Sequence, residues 1–385
     1  MTTPPTDQLA LTGASVLTPT GLVEADVAVH GDVIAAVGTV PDDGQRIDLP
    51  GRWVLPGIVD LHGDAVERAL SPRPSAPMPV AAALMENDRA MLAAGITTAY
   101  VSLTDGFEPG LRSRQRLREV IAAWRELRPT LGCDTRIHVR HERCNTEDLD
   151  ELLGWIGDGT VELLSLNDHA PPPGHGSDGT AAAVRARTGL PLDVATEIAE
   201  TALARRAEGL EQEPRLVEAA HAVGVPLASH DDADPEQVAR SAALGVRIAE
   251  FPFTLDAAHA AQAADAAVLL GAPNLVRGGS HLGNLAVVDA VAAGAVDVLA
   301  SDYHYPALAA GALRLVDEQR TDLATAWGLV AGGPARAVGL TDRGRIEAGL
   351  RADLVVIDPA APVRTPELVM VGGRVVWSAA PAIAR

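Results

Sequence analysis

Between residues 54 and 343, short apolar runs of four to seven residues alternate with longer, Ala-rich stretches of helical character. That alternation, sustained over almost 300 residues, constrains the chain more than any other feature. Strands separated by helices are joined by crossovers, and crossovers build a parallel sheet with helices on its faces. Eight such runs suit a (β/α)8 TIM barrel. They are expected near Ile58–Leu61, Thr97–Ser102, Thr135–Arg140, Val161–Leu166, Pro226–Ser229, Arg247–Glu250, Asn274–Val276 and Val296–Ala300. Helices are expected at Val80–Ala94, Ser113–Leu127, Ala195–Arg206 and Leu285–Ala293. Both ends of the chain read differently. Leu9–Leu17, Leu22–His30 and Val33–Val37 carry alternating β-branched residues around a Gly31-Asp32 turn. Asp353–Ile357, Leu368–Val371 and Arg374–Trp377 repeat that texture across Gly372-Gly373. The expected architecture is an α/β barrel of residues 54–343 and a small β-sandwich domain assembled from residues 1–53 and 344–385.

Composition narrows the chemistry. A formal net charge of −20 argues against nucleic acid or an anionic membrane as partner. All 31 basic residues are Arg, and the chain contains no Lys. A phosphate-loop lysine, a Schiff-base lysine and a carboxylated lysine bridging two metals are therefore excluded. No apolar run reaches the roughly 18 residues of a membrane span, and Met1–Pro5 lacks the pattern of a secretory signal. Two cysteines, Cys133 and Cys144, are too few for a disulfide scaffold. They suit a reduced, cytoplasmic setting.

In a barrel of this kind, residues just after each strand converge on the C-terminal mouth. His62 and Asp64 follow the first expected strand, Glu142 the third, Asp168-His169 the fourth, His230-Asp231-Asp232 the fifth and Ser301-Asp302 the eighth. A single His in such a place is more often a hydrogen-bonded structural residue. Imidazoles and carboxylates recurring at five strand ends favour a metal centre. This mixture suits borderline divalent ions, Zn first, with Mn or Fe as alternatives. The expected division places His62 and Asp64 on one ion and His169 and His230 on a second, with Glu142 bridging them in place of the missing lysine. Asp302 is the expected proton acceptor for an activated water. Of His138 and His141, one is expected to point into the barrel and the other outward.

A second group of residues suits an anion. Arg277-Gly278-Gly279-Ser280-His281 combines two cations with two glycines whose N–H groups could approach an oxyanion, and a helix is expected shortly afterwards. Alone, such a stretch is equally an ordinary Gly-rich loop. Arg68 and Arg73, in a proline-stiffened segment after the first strand, offer further cations to the same mouth, and Arg suits bidentate phosphate recognition.

Val54-Leu55-Pro56-Gly57-Ile58-Val59-Asp60-Leu61-His62 and Ser301-Asp302 resemble the first and last strands of amidohydrolase-superfamily barrels. Within that superfamily the chain resembles the α-D-ribose 1-methylphosphonate 5-triphosphate diphosphatases of the carbon–phosphorus lyase pathway. The residues that carry this are His62-Gly63-Asp64 with Glu67-Arg68, His138-x-Arg140-x-Glu142, Asp168-His169, Ser229-His230-Asp231-Asp232 and Asn274-x-Val276-Arg277-Gly278-Gly279-Ser280-His281. The resemblance implies a two-metal hydrolase that splits a ribose 5-triphosphate into the 5-phosphate and pyrophosphate. Its partner would be a small phosphorylated sugar, with neither nucleic acid nor membrane; a homodimer is left open. The chain departs from the family's pattern at residues 170–175 and 304–306, both expected at the mouth. Two other readings compete: a hydrolase of a C–N bond whose arginines hold a carboxylate, and a non-catalytic assembly component.

Overall fold

The computed structural model describes residues 8–40, 44–73, 76–169, 176–280 and 283–379. Five strands precede the barrel: β1 (Gln8–Thr18), β2 (Gly21–His30), β3 (Val33–Gly38), β4 (Gln45–Asp48) and β5 (Trp53–Pro56). The eight barrel strands are β6 (Ile58–Gly63), β7 (Ile96–Asp105), β8 (Asp134–Glu142), β9 (Val161–Asn167), β10 (Leu227–His230), β11 (Ile248–Glu250), β12 (Ala267–Gly271) and β13 (Val298–Ala300). Three more close the chain: β14 (Leu354–Ile357), β15 (Pro366–Val371) and β16 (Arg374–Ser378).

The barrel strands pair in sequence order, all in parallel. Their burial follows from that arrangement: every residue of β6 and β7 is buried, because side chains meet the barrel interior on one face and helices on the other. The circle closes between β6 and the residues after β13. The Asp302 N–H donates to the His62 carbonyl at 2.8 Å, and the Asp64 N–H donates to the Asp302 carbonyl at 2.9 Å. Helix starts obey local chemistry. The Ser113 hydroxyl accepts from Arg116 N–H to cap Arg114–Leu127, and Asp234 caps Pro235–Ala243, with proline in the first turn.

Seven of the eight expected strands overlap those observed; the seventh does not. The Asn274–Val276 run is helical, inside Ala272–Arg277, and the true strand is β12. Pro273 explains the difference. Its fixed φ and missing N–H suit the first turn of a helix, and Gly278 at φ +88° then caps it in the left-handed region. The β-branched Val276 misleads a reading based on propensity. The expected helix at Ala195–Arg206 is also two helices, Leu192–Ala204 and Arg206–Val223.

Strands from both chain ends form one mixed sheet in the order β16-β15-β14-β5-β1-β2-β3, with β4 also on β1. The long β1 pairs with β2 on one edge and with β4 and then β5 on the other, so the sheet curls around its own core of Leu11, Val16, Ile34, Val54, Leu354 and Met370. β5 pairs with β14 as far as Pro56. The barrel is joined to this sheet by backbone and indole bonds: Gly57 N–H donates to Asp353 O at 2.8 Å, and buried Trp327 Nε1 donates to Pro56 O at 2.9 Å.

Candidate active site at the barrel mouth

Alternation along β8 directs three polar side chains to one face: His138, Arg140 and Glu142 are two residues apart and project together. His138 is the inward histidine. Its Nδ1 lies 2.9 Å from Ser102 Oγ and 3.1 Å from the Leu61 carbonyl, while its Nε2 faces Glu250 Oε1 at 3.7 Å. His141 turns the other way and binds buried Asp105 at 2.7 Å, beside Arg114 on the same carboxylate.

At the centre stands Glu250, fully buried at the end of β11. Its Oε1 is 3.0 Å from His62 Nδ1. Its Oε2 is 3.1 Å from His230 Nδ1 and accepts from Ser165 Oγ at 3.0 Å. Burial alone would raise the Glu250 carboxyl, but facing His138 and His230 holds it below the ordinary carboxylate value. Burial pushes the imidazoles of His62 and His138 down to about 3, and Arg140 adds to the effect. Burial and Arg140 lower His230 as well. The three rings are therefore neutral at pH 7, the form in which imidazole ligates a metal.

Two donor sets arise from the expected ligands and their neighbours. One holds His62, His230 and Glu250; the other holds His169, His230 and Asp231; within each set the ligand atoms lie within 4.8 Å of one another. His62 Nδ1 and Glu250 Oε1 are buried without a hydrogen-bond partner, which suits atoms awaiting a cation. The residues present thus fit a divalent ion. Glu142 lies in neither set; it binds His169 through both the ring Nδ1 and the backbone N–H. Burial would raise its carboxyl, but the charge and hydrogen bonds of His169 hold it down to about 2, and Glu142 and Asp231 hold His169 up to about 9. Asp64 lies 3.5 Å from Arg140 NH1, whose NH2 lies 3.1 Å from His230 Nε2. The guanidinium therefore stands between two of the expected ligands.

Asp302 lines a cavity of about 300 Å³ together with His62, Asp64, Arg140, His230 and Arg277. Burial, reinforced by the charge of Asp64, raises its carboxyl to about 7. Asp302, Asp231 and Phe251 all take positive φ, at 53°, 61° and 55°. A bulky Phe in that region is strained, and such strain gathers at functional sites.

The expected anion group is altered by the fold. Gly278 N–H donates to Leu275 O and Gly279 N–H to Asn274 O, so both amides cap their own helix rather than face an anion. Arg277 and Ser280 do line the central cavity, Arg277 lying 3.3 Å from Tyr303 Oη. Arg68 donates to the Tyr303 carbonyl, and Arg73 is exposed. His281 lies outside the described residues.

The sequence reading assigns no role to Glu250, nor to Asp231 and Arg140, although it places Asp231 at a strand end and Arg140 in a motif. Each carried a signal: Glu250 ends an expected strand, Asp231 adjoins His230, and Arg140 shares the two-residue period of His138 and Glu142.

The amidohydrolase family profile matches residues 89–377. The α-D-ribose 1-methylphosphonate 5-triphosphate diphosphatase of Escherichia coli (strain K12) is 36% identical over 321 residues, covering 81% of this chain and 85% of that protein. Among solved structures, phenylurea hydrolase B superposes with a TM-score of 0.64 at 17% identity, covering 96% of each chain. The dihydropyrimidinase from Brevibacillus agri NCHU1002 gives 0.60 at 14% identity, covering 96% of this chain and 95% of that one. Both likenesses concern the fold.

Proposed function

The chain belongs to the amidohydrolase family, and we propose that within it this protein hydrolyses a ribose 5-triphosphate ester to the 5-phosphate and pyrophosphate, in phosphonate catabolism. The observation that carries the reading is the central cavity, where Asp302, His62 and His230 share one set of walls with Arg140 and Arg277. Identity to the diphosphatase across most of both chains supports the same substrate class.

His62, Asp64, Glu142, His169 and His230 are proposed to hold two divalent ions, zinc first, with Glu250 and Asp231 placed among them. When bound, such ions supply a water of lowered pKa and neutralise phosphoryl charge. Asp302 takes the proton of the attacking water as its oxygen bonds to phosphorus. The anhydride P–O bond breaks, and pyrophosphate leaves with the electron pair. Arg140 and Arg277 neutralise charge on the phosphoryl chain and its leaving end. The partner is a small phosphorylated sugar, and two free cysteines support a reduced, cytoplasmic setting. No described helix is long and apolar enough to cross a membrane.

The test is to supply a ribose 5-triphosphate ester to the metal-loaded protein and measure pyrophosphate. Release of pyrophosphate with the 5-phosphate is expected. Turnover of cyclic amides or N-acyl compounds with triphosphates untouched would overturn the reading in favour of C–N hydrolysis.

A further inference from the structure

A second cavity, of about 390 Å³, reaches the centre, and Arg277 is not among its walls. It meets the metal-ligand candidates at Glu142 and His169, whereas the first cavity meets them at His62, Asp64 and His230. Its walls are of another kind. Phe107, just after β7, and Ala183, on the helix Asp178–Thr188, present carbon surface. Its two arginines are paired with carboxylates: Arg112 donates to both oxygens of Glu67 at 2.9 and 3.1 Å, and Arg187 to both oxygens of Glu108, which lines the same cavity, at 2.8 and 3.1 Å. Thr104, at the end of β7, is 7% exposed, and its hydroxyl has no hydrogen-bond partner among the described residues.

An unpaired buried hydroxyl beside an apolar wall and neutralised cations matches a sugar ring better than a polyphosphate, since a ring offers hydroxyl partners and C–H faces together. We infer that this cavity is the subsite for the pentose and its C1 substituent, with the phosphate chain running from it across the metal-ligand candidates toward Arg277. Phe107, Ala183 and Thr104 are then specificity determinants. The inference rests on the triphosphate reading for the identity of the sugar, but its test does not rest on turnover.

The test measures binding of ribose 5-phosphate and of inorganic phosphate to the metal-loaded full chain by calorimetry. Ala183→Trp fills the cavity from a partly exposed helix position. It should weaken ribose 5-phosphate by about tenfold or more while inorganic phosphate changes by less than about twofold. Thr104→Val should weaken ribose 5-phosphate by about fivefold and raise the Tm of the ligand-free protein, because an unpaired buried hydroxyl is removed. Wild-type protein that does not bind ribose 5-phosphate overturns the inference. So do variants that bind it like wild type, or that lose inorganic phosphate equally. If triphosphates are not cleaved yet Ala183→Trp loses ribose 5-phosphate selectively, the subsite stands and the diphosphatase reading falls. If pyrophosphate is released but neither variant shows a selective loss, the subsite falls and the diphosphatase reading stands.

Discussion

His62 Nδ1 and Glu250 Oε1 lie 3.0 Å apart, both buried, joining the ends of the first and sixth barrel strands. The other oxygen of the same carboxylate pairs with His230 Nδ1, so one buried anion aims that imidazole and stands as a donor beside His62 Nδ1. Partners of this kind set the tautomer and aim of a ligating histidine, and their loss costs roughly 10–100-fold in metal affinity. Glu250→Gln is therefore expected to weaken metal binding by about that factor, read by competition with a chromogenic chelator. An unchanged affinity would remove Glu250 from the centre.

Asp302→Asn separates chemistry from scaffold. Loss of the proton acceptor should lower kcat by roughly 10²–10⁴-fold, with metal content retained. Near-normal turnover would refute the role.

The same substitution has a pH signature. In the fold the Asp302 carboxyl is raised to about 7 from its ordinary 3.8. Between those values the native state holds more protons than the unfolded chain, so this group makes stability fall as pH rises. Asn does not titrate. Metal-free Asp302→Asn should therefore gain Tm over metal-free wild type progressively from about pH 4 to pH 7, across the window that those two values bound.

Glu142 and His169 predict a different profile for the metal-free protein. Glu142 is depressed to about 2, so its contribution is complete above its ordinary 4.5 and is lost as pH falls toward 2. His169 is raised to about 9, so its contribution is complete below its ordinary 6.5 and is lost as pH rises through 9. The pair is fully stabilising between about 4.5 and 6.5. The difference in urea midpoint between metal-free wild type and Glu142→Gln, in which the titration of Asp302 cancels, should be largest there and shrink on either side. Partial exposure of His169 holds the effect to about 1 kcal/mol.

Chelation should abolish hydrolysis and lower Tm, since a ligand at 100 times its Kd adds about 2.7 kcal/mol to the folded state. Readdition of zinc should restore both. His169→Ala should carry fewer ions than wild type when metal content is measured.

The barrel was legible because its signal is repetitive: seven apolar runs fell where strands form, and β-rich ends announced a composite sheet. Asn274–Val276 was not legible, because propensity there points to a strand while Pro273 and Gly278 impose a helix. The same local fact turned two glycine amides into caps. At the site, strand ends exposed His62, His169, His230 and Asp302 to a reading along the chain. Glu250 is defined by what it touches from 188 residues beyond His62, and only the closed barrel spans that separation. Arg140 is similar: period places it inside, but its position between Asp64 and His230 is a matter of packing.

The circle of strands is fastened where His62 and Asp64 exchange backbone bonds with Asp302. The proposed proton acceptor and two ligand candidates are thus also the clasp of the barrel. Opening that clasp would disassemble the chemistry at the same moment, so catalytic geometry and ring closure share one cooperative event. Amide protons at Asp64 and Asp302 consequently report on both: their exchange rates follow the integrity of the ring and the readiness of the site together.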